Sequence, residues 1–323
     1  MTLPPRRFEL AAAVRRATAD LPTGVNVLVA CSGGPDSLAL AAAVADSGIT
    51  GVAAVVDHGL QPESEQVAAV AAGQCRGLGL TALVLSARVV ATGSGPEADA
   101  RAARYAALDS CADEVGAAAV LLGHTRDDQA ESVLLGLARG SGTRSLAGMP
   151  QRRGRYRRPL LATSRAVVSA ALQESGLAAW QDPHNSDPRY LRARVRSRVM
   201  PVLVEQLGPG VAEGLVRTAT LARADADALD QLATDQHRRL QAEGWQVDAL
   251  AQLTEAVRWR VLRLMLLRAG CPAADLTLDH VMAVDGLITG WHGQGPLHLP
   301  GRVRVTRSYG TLEAKPLTSG SED

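Results

Sequence analysis

Short apolar runs recur in the first 125 residues, at 26–30, 50–56, 81–85 and 118–122, each too brief for a helix and rich in valine and alanine. Between them, 36–47, 63–78 and 97–115 are longer stretches of helical pattern. Residues 7–20 also have helical composition and stop at Leu21-Pro22-Thr23-Gly24, a turn that feeds the first strand. Strand, helix, strand at this interval predicts right-handed crossovers and an α/β fold, a doubly wound mainly parallel sheet with ligands at the carboxyl ends of its strands. After Pro201 the pattern changes. Residues 211–240 read as one long helix with alternating arginine and aspartate, 253–269 and 278–288 as two more helices, and 296–299, 302–306 and 311–314 as short strands between glycine turns. The expected organisation is a first domain over 1–205, a helical linker over 206–243 and a small C-terminal α+β domain over 244–323, fraying from 316 onward.

The first strand runs into Ser32-Gly33-Gly34-Pro35-Asp36-Ser37. Two glycines allow a tight turn and close approach of a ligand, and the helix starting near Asp36 aims unpaired N–H groups into that turn, which suits a phosphate. Ser32 and Ser37 add hydroxyls, while Asp36 makes sense as a holder of Mg²⁺ that the phosphates also coordinate. A Walker loop is excluded because its lysine is missing, Lys315 being the only lysine of the chain, and no G-x-G-x-x-G fingerprint occupies the turn. A lone Gly-Gly would more often be an ordinary capped turn.

The other strand ends are polar too. The second ends in Asp57-His58-Gly59-Leu60, either a simple turn or a pair of groups that reach the nucleotide. The fourth ends in Gly123-His124-Thr125-Arg126-Asp127-Asp128-Gln129-Ala130-Glu131. One carboxylate at a helix start is explained by the helix dipole, but a helix beginning near Thr125 also brings His124, Asp128 and Glu131 onto successive turns, suited to Mg²⁺ or an ammonium group. Arg101 and Arg104 lie three apart on the third predicted helix, where a solvated face or a stack of Arg101 on Tyr105 is the ordinary expectation.

Charge adds a second feature. The net charge is +1, but residues 151–200 hold eleven arginines against three acidic residues, so +8 there is balanced by −7 elsewhere. A polarised chain of this kind carries either an intramolecular ion-pair surface or a footprint for a nucleic-acid backbone, and two basic runs beside a phosphate site favour RNA. Hydrophobic residues are 46% and aromatics 3%, with alanine, valine and leucine carrying the burial. Cys31, Cys75, Cys111 and Cys271 form no C-x-x-C pair, so buried thiols are expected rather than a zinc ribbon or disulfides. No signal peptide or membrane-spanning run is visible, and a cytoplasmic location is expected.

Ser-Gly-Gly-Pro-Asp-Ser resembles the S-G-G-x-D-S loop of the ATP pyrophosphatases (the PP-loop superfamily). Together with Asp57-His58-Gly59-Leu60, the segment from Glu97 to Tyr105, the His124 to Glu131 cluster, Arg139-Gly140-Ser141-Gly142, Arg158-Pro159-Leu160-Leu161, Trp180-Gln181-Asp182-Pro183-His184-Asn185 and Tyr190-Leu191-Arg192-Ala193-Arg194-Val195-Arg196, it is similar to the tRNA(Ile)-lysidine synthetase family over about residues 25 to 205. Departures are Ala193 where the family often has asparagine and Gln61 where it often has a basic residue. The resemblance implies an ATP pyrophosphatase-like catalytic domain and an enzyme that uses ATP, Mg²⁺ and free L-lysine to convert the wobble cytidine of the isoleucine tRNA with a CAU anticodon into lysidine, and it allows a homodimer. It implies that Ser32, Gly33, Gly34, Pro35, Asp36, Ser37, Asp57 and His58 hold the nucleotide. Asp36 and Asp128 would hold metal, Arg101 and Arg104 would steady the adenylate, and His124, Asp128 and Glu131 would receive the lysine. Arg139, Arg158, Arg192, Arg194 and Arg196, within a basic segment over 139–200, would meet the tRNA. A tRNA thiolase of the same superfamily is the nearest alternative; it would need a reactive cysteine at the site. A tRNA-binding protein with a silent nucleotide fold is the other.

Overall fold

A computed structural model of the chain describes residues 3–57, 63–87, 89–91, 93, 95–140, 142–182 and 187–317. His58 and Gly59 to Gln61, Ser141, and Pro183-His184-Asn185 lie outside those residues, as does the side chain of Glu97. Two units are distinguished, Met1–Leu221 and Ala222–Asp323.

The first unit is built on a six-stranded sheet. Helix α1 (Pro5–Ala17) leads into β1 (Asn26–Cys31), α2 (Pro35–Ser47), β2 (Gly51–Asp57), α3 (Ser64–Gly77), β3 (Thr81–Ser86), α4 (Pro96–Glu114), β4 (Ala117–Leu121) and α5 (Arg126–Ala138). β1 pairs in parallel with β2 and with β4, and β2 in parallel with β3. Both neighbours of β1 are therefore parallel to it, and the chain turns back across the sheet through α4, which makes the gap between the ends of β1 and β4 the topological switch point. The doubly wound parallel sheet expected from the alternating pattern is the one found.

Apolar side chains explain the layers. On one face Val27, Val29, Ala53 and Val55 pack with Leu10 and Val14 of α1, Leu38, Leu40 and Val44 of α2, and Ala71 and Cys75 of α3, all buried. On the other face Leu28, Ala54 and Val120 meet Leu108, Cys111 and Ala112 of α4. Strands covered on both sides read as continuous apolar runs, which is why they stand out in the sequence. Each fully buried leucine contributes about 1.5–3 kcal/mol of transfer free energy. All four cysteines are buried and unpaired by disulfide.

The basic stretch after α5 contributes structure that its composition hides. Following the short α6 (Thr143–Leu146), β5 (Arg152–Arg153) and β6 (Tyr156–Arg157) form a hairpin, and β6 adds to the sheet in parallel with β4. Then come α7 (Arg165–Glu174), which packs Val168, Ala171 and Leu172 into the core, α8 (Leu191–Arg194), a π-helical turn (Val195–Val199) and α9 (Met200–Leu207). The 33-residue α10 (Val211–Glu243) contains the boundary between the units.

In the second unit, α11 (Val247–Ala251), α12 (Glu255–Arg268) and α13 (Leu278–Thr289) accompany an antiparallel sheet of β7 (Leu297–Leu299), β8 (Val303–Ser308) and β9 (Thr311–Pro316). Leu262, Leu266, Val284, Leu287, Val303, Val305 and Leu312 form its core. The final strand extends through Pro316, opposite Val303, so ordered pairing continues one step into the segment expected to fray. Among the described residues no helix is long and apolar enough to cross a membrane.

Candidate active site

The loop after β1 is braced from within. Gly33 has φ +76°, a backbone region that disfavours side chains, and a Cβ there would stand 3.1 Å from the Cβ of Ala71. The Ser37 hydroxyl donates to the carbonyl of Gly34 at 2.9 Å and accepts from the Ser32 amide at 3.1 Å, and its oxygen lies 3.2 Å from that of Ser32. Ser37 is therefore committed to shaping the loop, while Ser32 is the exposed hydroxyl. The amide of Trp180 donates to the Gly33 carbonyl at 2.9 Å and ties the segment after α7 to the turn. Pro35 opens α2, where a missing N–H costs nothing.

β4 ends against this loop. A Cβ at Gly123 would be 2.9 Å from the backbone oxygen of Asp36, so only glycine lets the chain after β4 approach the first turn of α2. Thr125 caps α5 in a capping box: Asp128 Oδ2 accepts from the Thr125 amide and hydroxyl, each at 2.8 Å. The remaining carboxylate oxygens are met by arginines. Asp128 Oδ1 accepts from Arg165 at 2.8 Å and Arg196 at 2.9 Å. Glu131 Oε1 accepts from Arg196 at 2.8 Å and Arg165 at 3.4 Å, and its Oε2 from Arg196 at 3.0 Å and Arg192 at 3.2 Å. The Glu131 side chain is only 2% exposed, a burial that a carboxylate sustains when every lone pair is used. Burial alone would push the Asp128 carboxyl up, but Arg165 and the Thr125 cap hold it below the usual range.

Asp36 differs. Its Oδ1 is buried without a hydrogen-bond partner among the described residues, and its Oδ2 lies 3.8 Å from Arg165 Nε. Burial pushes its pKa up to about 6 against the pull of Arg165. An orphaned oxygen at the first turn of a phosphate-type loop fits a cation. Among the described residues no group of three or more histidine, cysteine, aspartate or glutamate side chains is arranged for a metal, so phosphate oxygens and water would complete the shell, as Mg²⁺ prefers. Asp128 offers no such orphaned oxygen.

This burial has a measurable sign. A carboxyl whose folded pKa is raised is at no disadvantage well below its ordinary value of 3.8, where it is protonated folded or unfolded, and it lowers stability as pH rises through that value to about 6. The metal-free wild type should therefore lose roughly 2–3 kcal/mol relative to Asp36→Asn between pH 4 and pH 7. Urea midpoints of both proteins across that range measure it, and parallel curves would show Asp36 to be solvated.

The other expected site residues fall as follows. His124 sits just after β4 with Nδ1 buried and without a hydrogen-bond partner among the described residues; burial and then Arg158 push its pKa down to about 3, so the ring is neutral and a hydrogen-bonding group rather than a proton acceptor near pH 7. Arg101 and Arg104 both stack on Tyr105, at 5.1 and 5.9 Å, and Tyr105 packs edge-on against Tyr156. No carboxylate pairs with Arg104 among the described residues, and burial, then the neighbouring Arg101, push its pKa down. Asp57 closes β2 beside β1. Arg158 is 6% exposed and donates to the Pro150 carbonyl at 2.8 Å. Arg192 and Arg196 turn inward to Glu131, whereas Arg194 and Arg198 are exposed without a carboxylate partner among the described residues. Arg139 lies at the end of α5. Much of the basic excess is spent within the protein: Arg152 and Arg157 pair with Asp20, Arg155 with Asp113, and Arg189 with Asp187.

Sequence reasoning did not single out Arg165, whose guanidinium reaches three carboxylates and whose amide donates to Asp127 Oδ2 at 2.7 Å. Its signal was the N-cap Ser164 preceding an apolar helical stretch, which places residue 165 at a helix start facing the fourth strand's loop.

Comparison with known proteins gives the chain its family. A PP-loop domain model matches residues 9–203, and a TilS substrate binding domain model matches 246–313. The chain is 52% identical over 315 residues to the tRNA(Ile)-lysidine synthase of Thermobifida fusca, covering 96% of this chain and 97% of that one. It is 50% identical over 301 residues to the synthase of Streptomyces coelicolor, covering 90% and 86%. Among solved structures, the U34-tRNA thiolase NcsA from Methanococcus maripaludis superposes with a TM-score of 0.56 at 19% identity, over 68% of this chain and 80% of that one, a likeness of fold alone. A phosphate-type loop and a saturated acidic pair meet at the switch point of a PP-loop sheet, and identity of half the residues extends over nearly the whole length: the chain belongs to the tRNA(Ile)-lysidine synthase family.

Proposed function

We propose that the chain is an ATP-dependent ligase that joins L-lysine to C2 of the wobble cytidine in the isoleucine tRNA with a CAU anticodon, through an adenylated tRNA. The observation that carries this reading is the meeting of the Ser32 to Ser37 loop with Asp128 and Glu131 at one strand-end crevice. The cytidine C2 oxygen attacks the α-phosphate and pyrophosphate leaves; the lysine ε-ammonium then releases a proton to solvent, and the free amine attacks C2 as AMP departs. Both steps depend on charge neutralisation and positioning rather than on a covalent protein nucleophile. The buried Cys31 below the loop supplies no accessible thiol for a thiolase reaction.

In this reading N–H groups at the start of α2 and the Ser32 hydroxyl bind phosphate, and Asp36 holds Mg²⁺, which when bound neutralises the phosphates and the departing pyrophosphate. Asp57, which closes β2, binds the nucleotide, and His58, outside the described residues, is assigned the same role. Arg101 and Arg104, stacked on Tyr105, steady the adenylate. Asp128 and Glu131 receive the amine, with His124 as a neutral neighbour. Because both carboxylates are saturated by arginine and cap donors, an incoming ammonium takes the place of an arginine N–H. Arg192 and Arg196 are the exchangeable donors: they lie about one-third exposed on short helical segments, and tRNA phosphates offer them another partner. The catalytic part is residues 1–205, with 139–200 meeting the tRNA; 206–243 is a linker and 244–323 a second tRNA contact.

Incubation with ATP, the tRNA and either labelled lysine or a sulfur donor tests the reading. Lysine incorporation with release of AMP and pyrophosphate is expected. Sulfur transfer would make the chain a thiolase, and tRNA binding without pyrophosphate release would make it a silent nucleotide fold.

The RNA surface has its own test. Arg194→Ala and Arg198→Ala, which break no ion pair among the described residues, should each weaken tRNA binding and flatten its salt dependence by about one phosphate contact. Arg196→Ala should in addition lower the melting temperature, since it strips Glu131 of two donors. Unchanged salt slopes for Arg194→Ala and Arg198→Ala would mark that face as merely solvated.

A further inference from the structure

Four hydrogen bonds or ion pairs converge on Arg165. Its amide fixes Asp127 at 2.7 Å. Its guanidinium donates to Asp128 at 2.8 Å and Glu131 at 3.4 Å, and its Nε is 3.8 Å from Asp36 in the phosphate-type loop. No other described side chain pairs with carboxylates of both the loop and α5. The residue also stands on firm ground: it opens α7, capped by Ser164 and anchored in the core through Val168, Ala171 and Leu172. Arg192 and Arg196 lack that support, coming from a four-residue helix and a π-helical turn.

We propose that Arg165 is a positioning residue for amine transfer: it fixes the carboxylates of the amine pocket relative to Asp36, and so sets where the ε-amine stands with respect to the activated carbon. The inference rests on the amine pocket proposed above. A fixed cation there has two opposite effects. It competes electrostatically with the incoming ammonium, which weakens lysine binding, and it holds Asp128 and Glu131 in one geometry, which favours attack. Removing it should separate these effects, leaving lysine affinity unchanged or improved while slowing transfer. A side chain with a purely structural role would instead impair affinity and both chemical steps together.

The experiment uses the full chain with Arg165→Gln and Arg165→Lys. Transfer is followed in single turnovers from adenylated tRNA at varied lysine, pyrophosphate release is followed separately, lysine binding is measured by equilibrium dialysis, and folding by thermal melting. For Arg165→Gln the saturating transfer rate should fall about tenfold further than pyrophosphate release, with a lysine half-saturation and dialysis constant no higher than wild type. Arg165→Lys, which keeps the charge but not the planar fork, should transfer at an intermediate rate. Equal loss in both steps, or weaker lysine binding with an undiminished transfer rate, overturns the proposal. Should Arg165→Gln fail to melt cooperatively, Arg165→Lys decides by the same criteria, and wild-type behaviour in both steps overturns it. Glu131→Gln separates this inference from its premise: if that variant leaves lysine half-saturation unmoved, the amine pocket is misplaced; if only the Arg165 variants fail, the pocket stands and the positioning role falls.

Discussion

Asp36→Asn yields a protein at least as stable as wild type at neutral pH that releases pyrophosphate more than about a hundredfold more slowly, because cation-assisted charge stabilisation amounts to several kcal/mol. The two halves of this expectation come from one observation. Asp36 Oδ1 is buried with no hydrogen-bond partner among the described residues and burial raises its pKa to about 6, so in the metal-free chain the charged form is a liability that an isosteric amide removes. The same unsatisfied oxygen is what a cation would use. Destabilised binding of ATP and Mg²⁺ alongside an unchanged or raised melting temperature is the signature of a site that gives up stability for function. Melting curves and pyrophosphate release measured on the same preparations decide it. Near wild-type turnover in Asp36→Asn would remove the metal assignment, and a marked drop in melting temperature would show that the carboxylate supports the loop instead.

The parallel sheet is legible in the sequence because its strands are buried on both faces and its helices are long enough to show their period. β5 and β6 are not legible: Arg152-Arg153 and Tyr156-Arg157 carry no apolar alternation, and they join the sheet because the free edge of β4 offers backbone partners at Val120 and Leu121. The loop carrying Asp36 announces itself through its glycines and the strand before it. What composition cannot reveal is the destination of a charge. Eleven arginines between 151 and 200 read as a surface for RNA, yet Arg192 and Arg196 reach back some sixty residues to Glu131, and Arg157 reaches Asp20, which leaves a smaller exposed set around Arg194 and Arg198. The close approach at Gly123 was equally hidden, since it depends on where Asp36 passes in three dimensions.

Glu131→Gln tests the amine pocket most sharply, because among the described residues its side chain has only arginine partners. Asp128 shares its lone pairs with the Thr125 cap and so has a local duty that any member of the fold could use. Glu131, one turn later, is buried at 2% exposure with four arginine contacts and no part in capping, so its charge is held in place for a cation. Neutralising it removes half of the paired carboxylates that a buried ammonium needs. The lysine requirement should rise by at least about tenfold while the ATP requirement in pyrophosphate release moves little, since the loop and Asp36 are untouched. Ornithine, one methylene shorter, should be disfavoured against lysine in the wild type by roughly 1–3 kcal/mol from the length mismatch, and Glu131→Gln should narrow that gap. Melting temperature will fall somewhat, because three arginines lose an anionic partner, so both steps are compared on folded protein at a temperature well below the transition. Equal damage to adenylation and transfer, or adenylation lost with lysine affinity intact, would place Glu131 with the nucleotide and leave the amine without a pocket between α5 and Arg165.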